Sequence, residues 1–309
     1  MIELNITKND ENQRLDRFVK KYLNDAPKSF IYKMIRKKNI KVNDNRTSID
    51  YFLKEGDIVK LYISDSLVDH YRNQKMHIET NLKLDIIYED ENIVLINKPK
   101  GISVQPAQNG TTSLLDILLS GIEFEETDTF RPAFCNRLDK NTTGIIIAAK
   151  NYEALKQVNK SIKERNIRKI YHTIVFGKID KKIEIEGFLQ KQDTQKKVTV
   201  SRHKKEGFKA ITTIVVPKIS NDLFTEIEVD LVTGRTHQIR AHLQHIGHPL
   251  VGDLKYGGKY KQLSSQFLHA ACIRFLSIGG AMDYLNGRSF FAPPPLSYQQ
   301  LKNALFSEK

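Results

Sequence analysis

Cysteine and tryptophan are the scarcest residues here: 309 residues include two cysteines, Cys135 and Cys272, and no tryptophan. Two isolated cysteines exclude a disulfide framework and a zinc ribbon, and they fit the reducing cytoplasm. No apolar run approaches the roughly 20 residues that a membrane-spanning helix needs. The first residues, Met1–Asn5, lack the charged and apolar segments of an export signal. We therefore expect a cytoplasmic protein that contacts no membrane.

Acidic residues are also few relative to basic ones. The chain has 49 Lys and Arg against 36 Asp and Glu, a formal net charge of +13 at pH 7. This positive field attracts polyanions, so RNA or DNA is favoured over an acidic small molecule as the partner. A solubilising surface would give the same excess, and charge alone does not decide between them. The length favours two domains, and 40% hydrophobic residues suffice for a buried core.

The N-terminal region combines short amphipathic elements with clustered positive charge. Arg14–Leu23 has helical apolar spacing, and a second helix is predicted to start at a Ser29 cap and to end in Arg36–Asn39. Strands are predicted at Ile40–Val42 and Asp57–Tyr62. Together they present a basic platform that can hold RNA phosphates, with a charged solvent-facing surface as the alternative. The basic platform consists of Lys33, Arg36, Lys37 and Lys41.

This region resembles the alpha-L RNA-binding domain, a type named after a small-subunit ribosomal protein. The resemblance covers about residues 12–65 and rests on Arg14-Leu15-Asp16-x-Phe18, on Ser29 followed by Ile35-Arg36, and on Ile40-x-Val42-Asn43. It implies that the platform binds RNA. Because residues 66–83 are polar and weakly patterned, we expect the linker within them. The predicted organisation is an N-terminal domain at 1–75, a linker at 76–83 and a second domain at 84–309.

The second domain is predicted to be rich in strands. Apolar and alternating runs indicate strands in 84–98, 144–149, 169–175, 183–188, 197–201, 209–217 and 224–231. Helical spacing is present in 113–119, 152–166 and 237–246. Strands outnumber helices and cluster along the chain. The predicted fold class is therefore α+β, a mixed, mainly antiparallel sheet flanked by helices, beside a small N-terminal α/β domain.

One aspartate stands out because of its neighbours. Asp139 lies in the segment Asn136-Arg137-Leu138-Asp139-Lys140-Asn141-Thr142-Thr143-Gly144, just before a strand that is apolar throughout. A loop at the rim of a sheet commonly carries catalytic groups. An aspartate alone would more often be a turn or cap residue. A second polar cluster, Thr233–His242, is also set in apolar sequence.

These segments resemble the RluA-type pseudouridine synthases. The Asp139 segment matches the catalytic signature of that family, and further blocks follow in the family's order across roughly residues 84–300. They are 97–106, 168–171, 232–240 with 247–253, 267–270 and 292–295. The resemblance implies an enzyme that isomerises uridine in RNA without a cofactor, using Asp139 on a base flipped out of the RNA.

The resemblance also implies roles for individual residues. Arg235 is expected to pair with Asp139 and keep it ionised, and Tyr171 to stack on the uracil and assist the final deprotonation. Arg137 is expected to fill the vacated stack or to hold a phosphate. Further RNA contacts are predicted for Lys98, His237 and Arg240.

The sequence departs from the family at two positions, where Asn136 and Gln105 replace the more usual histidines. Both replacements keep hydrogen-bonding capacity, so we expect them to support loops in an active enzyme. The histidines between 237 and 248 invite a metal site, but His237 and His242 do not share a helical face and no carboxylate or cysteine cluster completes the set. No metal is therefore expected.

Three functions remain open on the sequence. The first is a monomeric synthase acting on large-subunit ribosomal RNA, with transfer RNA as the other candidate substrate. The second is an inactive RNA-binding or ribosome-assembly factor with the same fold. The third is a metal-dependent hydrolase that uses the histidines. Intact Asp139, Tyr171 and Arg235 favour the synthase.

Overall fold

The computed structural model describes residues 1–72, 80, 82–106, 110–124, 127, 129–192, 197–204 and 209–307. The N-terminal unit consists of β1 (Ile2–Asn5), α1 (Leu15–Tyr22), α2 (Lys28–Arg36), β2 (Ile40–Val42), β3 (Ile58–Leu61) and α3 (Asp65–Tyr71). Its three strands form an antiparallel sheet in the order β1-β3-β2. The helices and the sheet enclose a hydrophobic core of their own.

Helices α1 and α2 form where the sequence predicts them. The apolar positions of α1, from Leu15 to Tyr22, are buried on one face. Helix α2 begins directly after Pro27, whose extended backbone sets the start, and no side chain caps it. The predicted Ser29 cap is therefore wrong: Ser29 lies inside the first turn.

Helix α3 occupies the beginning of the polar stretch at 66–83. Its buried Val68 and the rings of Tyr71 and Phe30, 4.8 Å apart between centroids, attach it to the N-terminal core. This helix was not predicted because its apolar face is so small. The proposed linker at 76–83 lies mostly outside the described residues, which include only 80, 82 and 83 of it.

The second unit is built on one large sheet. Its elements are β4 (Ile86–Glu89), β5 (Ile93–Lys98), α4 (Leu114–Gly121), β6 (Ala133–Phe134), β7 (Thr143–Ala149), α5 (Tyr152–Lys163), β8 (Ile167–Phe176), β9 (Ile183–Gln192), β10 (Lys197–Ser201), β11 (Lys209–Ser220), β12 (Phe224–Asp230), α6 (Gln238–His245), β13 (Leu268–Phe275), a 3-10 helix (Gly280–Leu285), β14 (Ser289–Phe291) and α7 (Leu296–Phe306).

Eleven strands of the described residues join in the order β10-β9-β11-β12-β8-β13-β7-β5-β4, with β14 beside β13 and β6 beside β7. Every pair among them is antiparallel except β13 with β7. The predicted α+β class with a mixed, mainly antiparallel sheet is confirmed. Strands β13 and β14 and helix α7 were not predicted.

The core of the sheet is centred on β5 and β7. Every residue of β7 is buried, and Ile93 to Ile96 of β5 are fully buried. Helices α4 and α5 pack against these strands through their apolar faces. Helix α4 begins with a capping box in which Ser113 and Asp116 each bond the other's backbone N–H. This rigid centre carries the loop that contains Asp139.

The two units touch along one edge. Buried Asp10 of the N-terminal unit accepts hydrogen bonds from the Thr127 and Thr129 hydroxyls, the former at 3.0 Å. The Lys21 ammonium lies 4.5 Å from the ring centroid of Tyr152, at the start of α5.

The structure also describes the cysteines and the apolar character of the helices. Cys135 and Cys272 are both free thiols. Of the helices in the described ranges, none has the length and hydropathy that crossing a membrane requires.

Candidate active site

The loop that carries Asp139 joins β6 to β7 and is tied down by backbone contacts. The Asp139 carbonyl accepts from Thr142 N–H at 3.0 Å, which closes a turn around the aspartate. The next carbonyl, that of Lys140, accepts from Gly101 N–H at 2.9 Å and from the Lys98 ammonium at 3.0 Å. The segment after β5 thus fixes the path of the Asp139 loop.

Gly144, at the end of the same segment, allows β7 to approach β13. Its φ is +103°, and a Cβ built there would lie 2.2 Å from the Ala270 carbonyl oxygen. Any side chain would separate the two strands at the point where they run parallel. A glycine is therefore required just beyond the loop.

Asp139 is paired with Arg240, not with Arg235. Arg240 Nη1 lies 3.0 Å from Asp139 Oδ2, and its Nε and Nη2 bind both carboxylate oxygens of Asp253 at 2.7 and 2.8 Å. Burial disfavours the charge of Arg240, but the hydrogen bonds and charges of Asp253 and Asp139 raise its pKa above the ordinary value. A permanent cation is thus held between two carboxylates.

The predicted ion pair between Arg235 and Asp139 is therefore wrong. Arg235 precedes α6 in an exposed loop, where its backbone N–H donates to Gln238 Oε1 at 3.1 Å. Arg240 lies within α6 and is 6% exposed, so the helix directs it into the cleft. The predicted RNA contact of Arg240 is also contradicted. The residue is buried, and carboxylates already accept hydrogen bonds from all three of its nitrogens.

His237 approaches the same carboxylate oxygen of Asp139 as Arg240 does. Its Nε2 lies 3.6 Å from Asp139 Oδ2, and its Nδ1 is 3.1 Å from the Tyr256 hydroxyl. Burial lowers the pKa of His237, although the charge of Asp139 opposes that shift. His237 adopts a left-handed backbone at the start of α6 (φ 54°), and this bend turns its ring toward the carboxylate.

Tyr171 approaches the site from the sheet. It lies on β8, is 5% exposed and lines the same cleft as Asp139. Burial, and then the charge of Asp139, raise the pKa of the Tyr171 phenol. Tyr171 is therefore a neutral phenol at physiological pH.

Lys98 was predicted to contact RNA, and the structure contradicts this. It is 0% exposed, and its ammonium donates to the carbonyls of Pro99, Ile102 and Lys140 at 2.8, 2.9 and 3.0 Å. Burial lowers the pKa of Lys98 to about 8, and the charge of Asp139 opposes the shift. With three acceptors around it, Lys98 fastens the loop and is out of reach of a ligand.

The cleft around these residues has a volume of about 1490 Å³. This exceeds the roughly 300–1,000 Å³ of small-molecule pockets, so it has room for a polymer. Arg137 is exposed and lines the cleft beside Asp139, as does Arg235. In the N-terminal unit Lys33, Arg36 and Lys37 are exposed, and Lys41 is partly buried with its ammonium 5.1 Å from the Tyr62 ring centroid.

Comparison with known proteins identifies the family. The family model described as RNA pseudouridylate synthase matches residues 92–245, and the model described as S4 domain matches residues 13–59. A Mycoplasma capricolum protein described as an uncharacterized RNA pseudouridine synthase is 32% identical over 306 residues, covering 95% of this chain and 98% of that protein. The chain belongs to the RNA pseudouridylate synthase family.

The names of other relatives of this pseudouridine synthase also specify a ribosomal subunit. The ribosomal large subunit pseudouridine synthase C of Vibrio parahaemolyticus is 31% identical, over 85% of this chain and 84% of that protein. The Escherichia coli protein of the same name is 30% identical, over 89% of this chain and 88% of that protein. In fold, human RNA pseudouridylate synthase domain containing 1 matches with a TM-score of 0.51 at 24% identity, over 73% of this chain and 95% of that chain.

This synthase is an RNA-modifying isomerase with an N-terminal S4 domain that binds RNA. The two positions at which it departs from the family's usual residues lie at the edge of the site. Asn136 Oδ1 accepts from Ile147 N–H at 2.9 Å, so it supports the loop as expected. Gln105 is exposed and lines the cleft without a hydrogen bond to any described residue, so the expected loop support is not found there.

Two site residues of the synthase were missed by sequence reasoning. Asp253 holds the back of Arg240, and Tyr256 holds His237. Asp253 ends the block 247–253, which had been noted only for its resemblance, so its signal was present without a role. Tyr256 lies three residues beyond that block, and no sequence signal pointed to it. The histidines do not form a cluster: His242 is hydrogen-bonded to Thr213 at 2.8 Å, while His237 contacts Tyr256. Among the described residues there is no group of side chains that could hold a metal ion.

Proposed function

We propose that this synthase isomerises uridine in large-subunit ribosomal RNA, with Asp139 acting at the anomeric carbon of the flipped nucleotide. The relatives named ribosomal large subunit pseudouridine synthase C, matched over most of their length, support this RNA over transfer RNA. One chain supplies Asp139, Arg240 and Tyr171, which supports a monomer as the working unit. We place its work in the cytoplasm, where its RNA substrate is.

The reaction needs an anion and no exchange of electrons with a cofactor. The bond from the ribose anomeric carbon to N1 of uracil breaks, and the bonding pair stays with the base. The base turns, its C5 bonds the same carbon, and the C5 proton leaves while N1 gains one. A carboxylate serves this chemistry as nucleophile or as the counter-charge to the developing positive sugar, as in glycosidases.

The pair of Asp139 with Arg240 is the observation that carries the proposal. Arg240 is clamped by Asp253 through two nitrogens, so its third nitrogen presents a fixed donor to Asp139 Oδ2. The side chain of Asp139 is 25% exposed, which leaves carboxylate surface open to the cleft. An oriented carboxylate with one side free is the arrangement that an attacking or charge-stabilising group requires.

Tyr171 supplies a flat apolar surface for the uracil. A base that leaves the RNA stack needs a replacement partner, and an aromatic ring provides it. The raised pKa of the phenol opposes a phenolate, so it favours stacking over the predicted proton removal. Flipping costs a few kcal/mol, and exposed Arg137 at the rim of the cleft is placed to offset it by occupying the vacated stack or a phosphate.

The test is tritium release from ribosomal RNA labelled at C5 of uracil. We expect release by the wild-type enzyme in the presence of a chelator, and none by Asp139→Asn. Asp180→Asn, which changes an exposed carboxylate 3.5 Å from the Lys178 ammonium, is the matched control and should keep wild-type activity. Release by Asp139→Asn at the wild-type rate would refute the role of Asp139.

The same assay separates the other functions. Tight RNA binding without release from ribosomal or transfer RNA would favour the assembly factor. Release from transfer RNA alone would keep the activity and overturn the ribosomal substrate. Loss of activity in chelator would favour a metal-dependent enzyme.

A further inference from the structure

Lys169 is a buried cation of the cleft that the mechanism above leaves unused. It lies on β8 two positions before Tyr171, and since side chains alternate along a strand, both project from the same face. It is 8% exposed and lines the cleft together with Asp139 and Tyr171. Its Cα is roughly 7 Å along the strand from that of Tyr171.

The ammonium of Lys169 bonds to nothing in the described part of the chain. The charge of Asp230 acts on Lys169, but the Asp230 carboxylate is bonded to the neighbouring Arg168, whose Nε lies 2.9 Å from Oδ2. Lys98 shows the contrast, because its buried ammonium has three carbonyl acceptors. Lys169 thus has three donors inside the cleft and no acceptor among the described residues.

Gly234 leaves the room in which this ammonium sits. A Cβ built on Gly234 would lie 3.1 Å from Lys169 Nζ. A side chain there would crowd the ammonium, whereas the glycine leaves it open to the cleft that both residues line. Burial lowers the pKa of Lys169, because the charged ammonium is costly there without an acceptor, and an acceptor brought into the cleft by a ligand offsets that cost.

The chemistry of the reaction provides an acceptor for the Lys169 ammonium. When the bond to N1 breaks, uracil keeps the electron pair, and negative charge spreads to its two carbonyl oxygens. A preorganised donor aimed at developing charge lowers the barrier more than it tightens binding. Arg137 and Arg235 are exposed and suit the RNA phosphates, whereas Tyr171 and Lys169 are 5% and 8% exposed and suit a base flipped into the cleft.

We propose that Lys169 is a further catalytic residue, which donates a hydrogen bond to a carbonyl oxygen of the detached uracil and stabilises its negative charge. This inference rests on the proposed function. Lys169 thereby provides a cation for the base, whereas Asp139 provides an anion for the sugar.

The first experiment compares Lys169→Met with Lys181→Met, an exposed lysine of the turn before β9, under single turnover at saturating enzyme. We expect Lys169→Met to lower the rate constant of isomerisation by about 100-fold, with the Kd for the RNA changed by less than about threefold and the thermal midpoint measured alongside. Lys181→Met should match the wild type. An unchanged rate constant for Lys169→Met would overturn the proposal.

The second experiment locates the contact. A short RNA with 2-thiouridine or 4-thiouridine at the mapped target replaces one carbonyl oxygen by sulfur, a weaker acceptor, and nucleosides are separated by chromatography to follow product. One thio substitution should slow the wild type but add nothing to Lys169→Met, since both remove the same bond. A purely structural lysine would give additive losses at both positions, which would refute the contact.

A third RNA carries a phosphorothioate at the target nucleotide. Non-additivity there, with a raised Kd for Lys169→Met, would assign the lysine to a phosphate and overturn the uracil contact. Failure of the proposed function looks different: the wild type would release no tritium from any RNA. Wild-type activity with an equally active Lys169→Met would remove only the lysine from the mechanism.

Discussion

The N-terminal domain and the cleft hold positive charge in opposite ways. On the basic platform Lys33, Arg36 and Lys37 are exposed, so water solvates each one separately. Around the cleft, Lys98 beneath the Asp139 loop and Arg240 in the cleft wall are 0% and 6% exposed and are held by carbonyls or carboxylates. Exposed cations contribute small, additive and salt-dependent energies to RNA binding, whereas buried ones form a unit that fails when one member is removed.

The largest contrast is expected between two arginine–aspartate pairs. Arg240→Gln leaves Asp139 and Asp253 without their shared cation and should destabilise the fold by about 3–5 kcal/mol and abolish isomerisation. Arg14→Gln breaks a partly exposed pair with Asp16 in the N-terminal domain and should have a much smaller effect on stability, because water screens that pair. Denaturant unfolding measures both. Equal losses of unfolding free energy in the two variants would contradict the proposed difference between the two regions.

The next effect concerns pH and His242. Burial, with a smaller contribution from the charge of His245, lowers the pKa of His242 to about 4 from 6.5. Between these values the unfolded chain binds a proton that the folded chain refuses, so stability is full above pH 6.5 and falls as the pH drops toward 4.

The loss assigned to His242 amounts to about 3 kcal/mol. His242→Gln should flatten this part of the curve of unfolding free energy against pH. His70→Gln, on the exposed surface of the N-terminal domain, is the matched control. Parallel curves for wild type and His242→Gln would contradict the assignment.

Lys98→Met should have a somewhat smaller effect on stability, about 2 kcal/mol, because three carbonyls lose the hydrogen bond from its ammonium. It should also slow isomerisation, since the Lys140 carbonyl beside Asp139 keeps only the hydrogen bond from Gly101 N–H. Lys100→Met, two residues away and exposed, should change stability by less than about 1 kcal/mol. A Lys98 variant as stable and active as the Lys100 variant would show that the loop holds without its lysine.

The smallest single effects are expected on the basic platform. Each of Lys33→Gln, Arg36→Gln and Lys37→Gln should weaken RNA binding a few-fold and lower the slope of log affinity against log salt by about 1. The triple variant should show the sum, with the single-turnover rate constant at saturating enzyme unchanged. Strong non-additivity would mean that the platform acts as one site, like the cleft.

The sequence predicted the fold class and the position of the Asp139 loop because both depend on local pattern. Apolar runs and turn residues set β5, β7, β8 and β12. It did not predict β13, whose run Leu268–Phe275 is apolar without alternation, nor α7, which has two buried residues.

The errors within the site arise from three-dimensional geometry. Arg235 and Arg240 are five residues apart in one motif, and only the start of α6 at Gln238 decides which one faces Asp139. Lys98 was predicted to contact RNA. Its acceptors come from three backbone carbonyls, one of them 42 residues along the chain, and no side-chain pattern announces them.

The backbone character of those acceptors has a consequence for how the enzyme tolerates mutation. Pro99, Ile102 and Lys140 each contribute a carbonyl to Lys98, an atom that every amino acid provides. The identity of the Lys140 side chain is therefore irrelevant to the fastening, although this residue adjoins Asp139. The side-chain identity on which this fastening depends is that of one lysine, and the positions around it can change, so specificity for a new RNA can evolve beside Asp139 without loosening its loop.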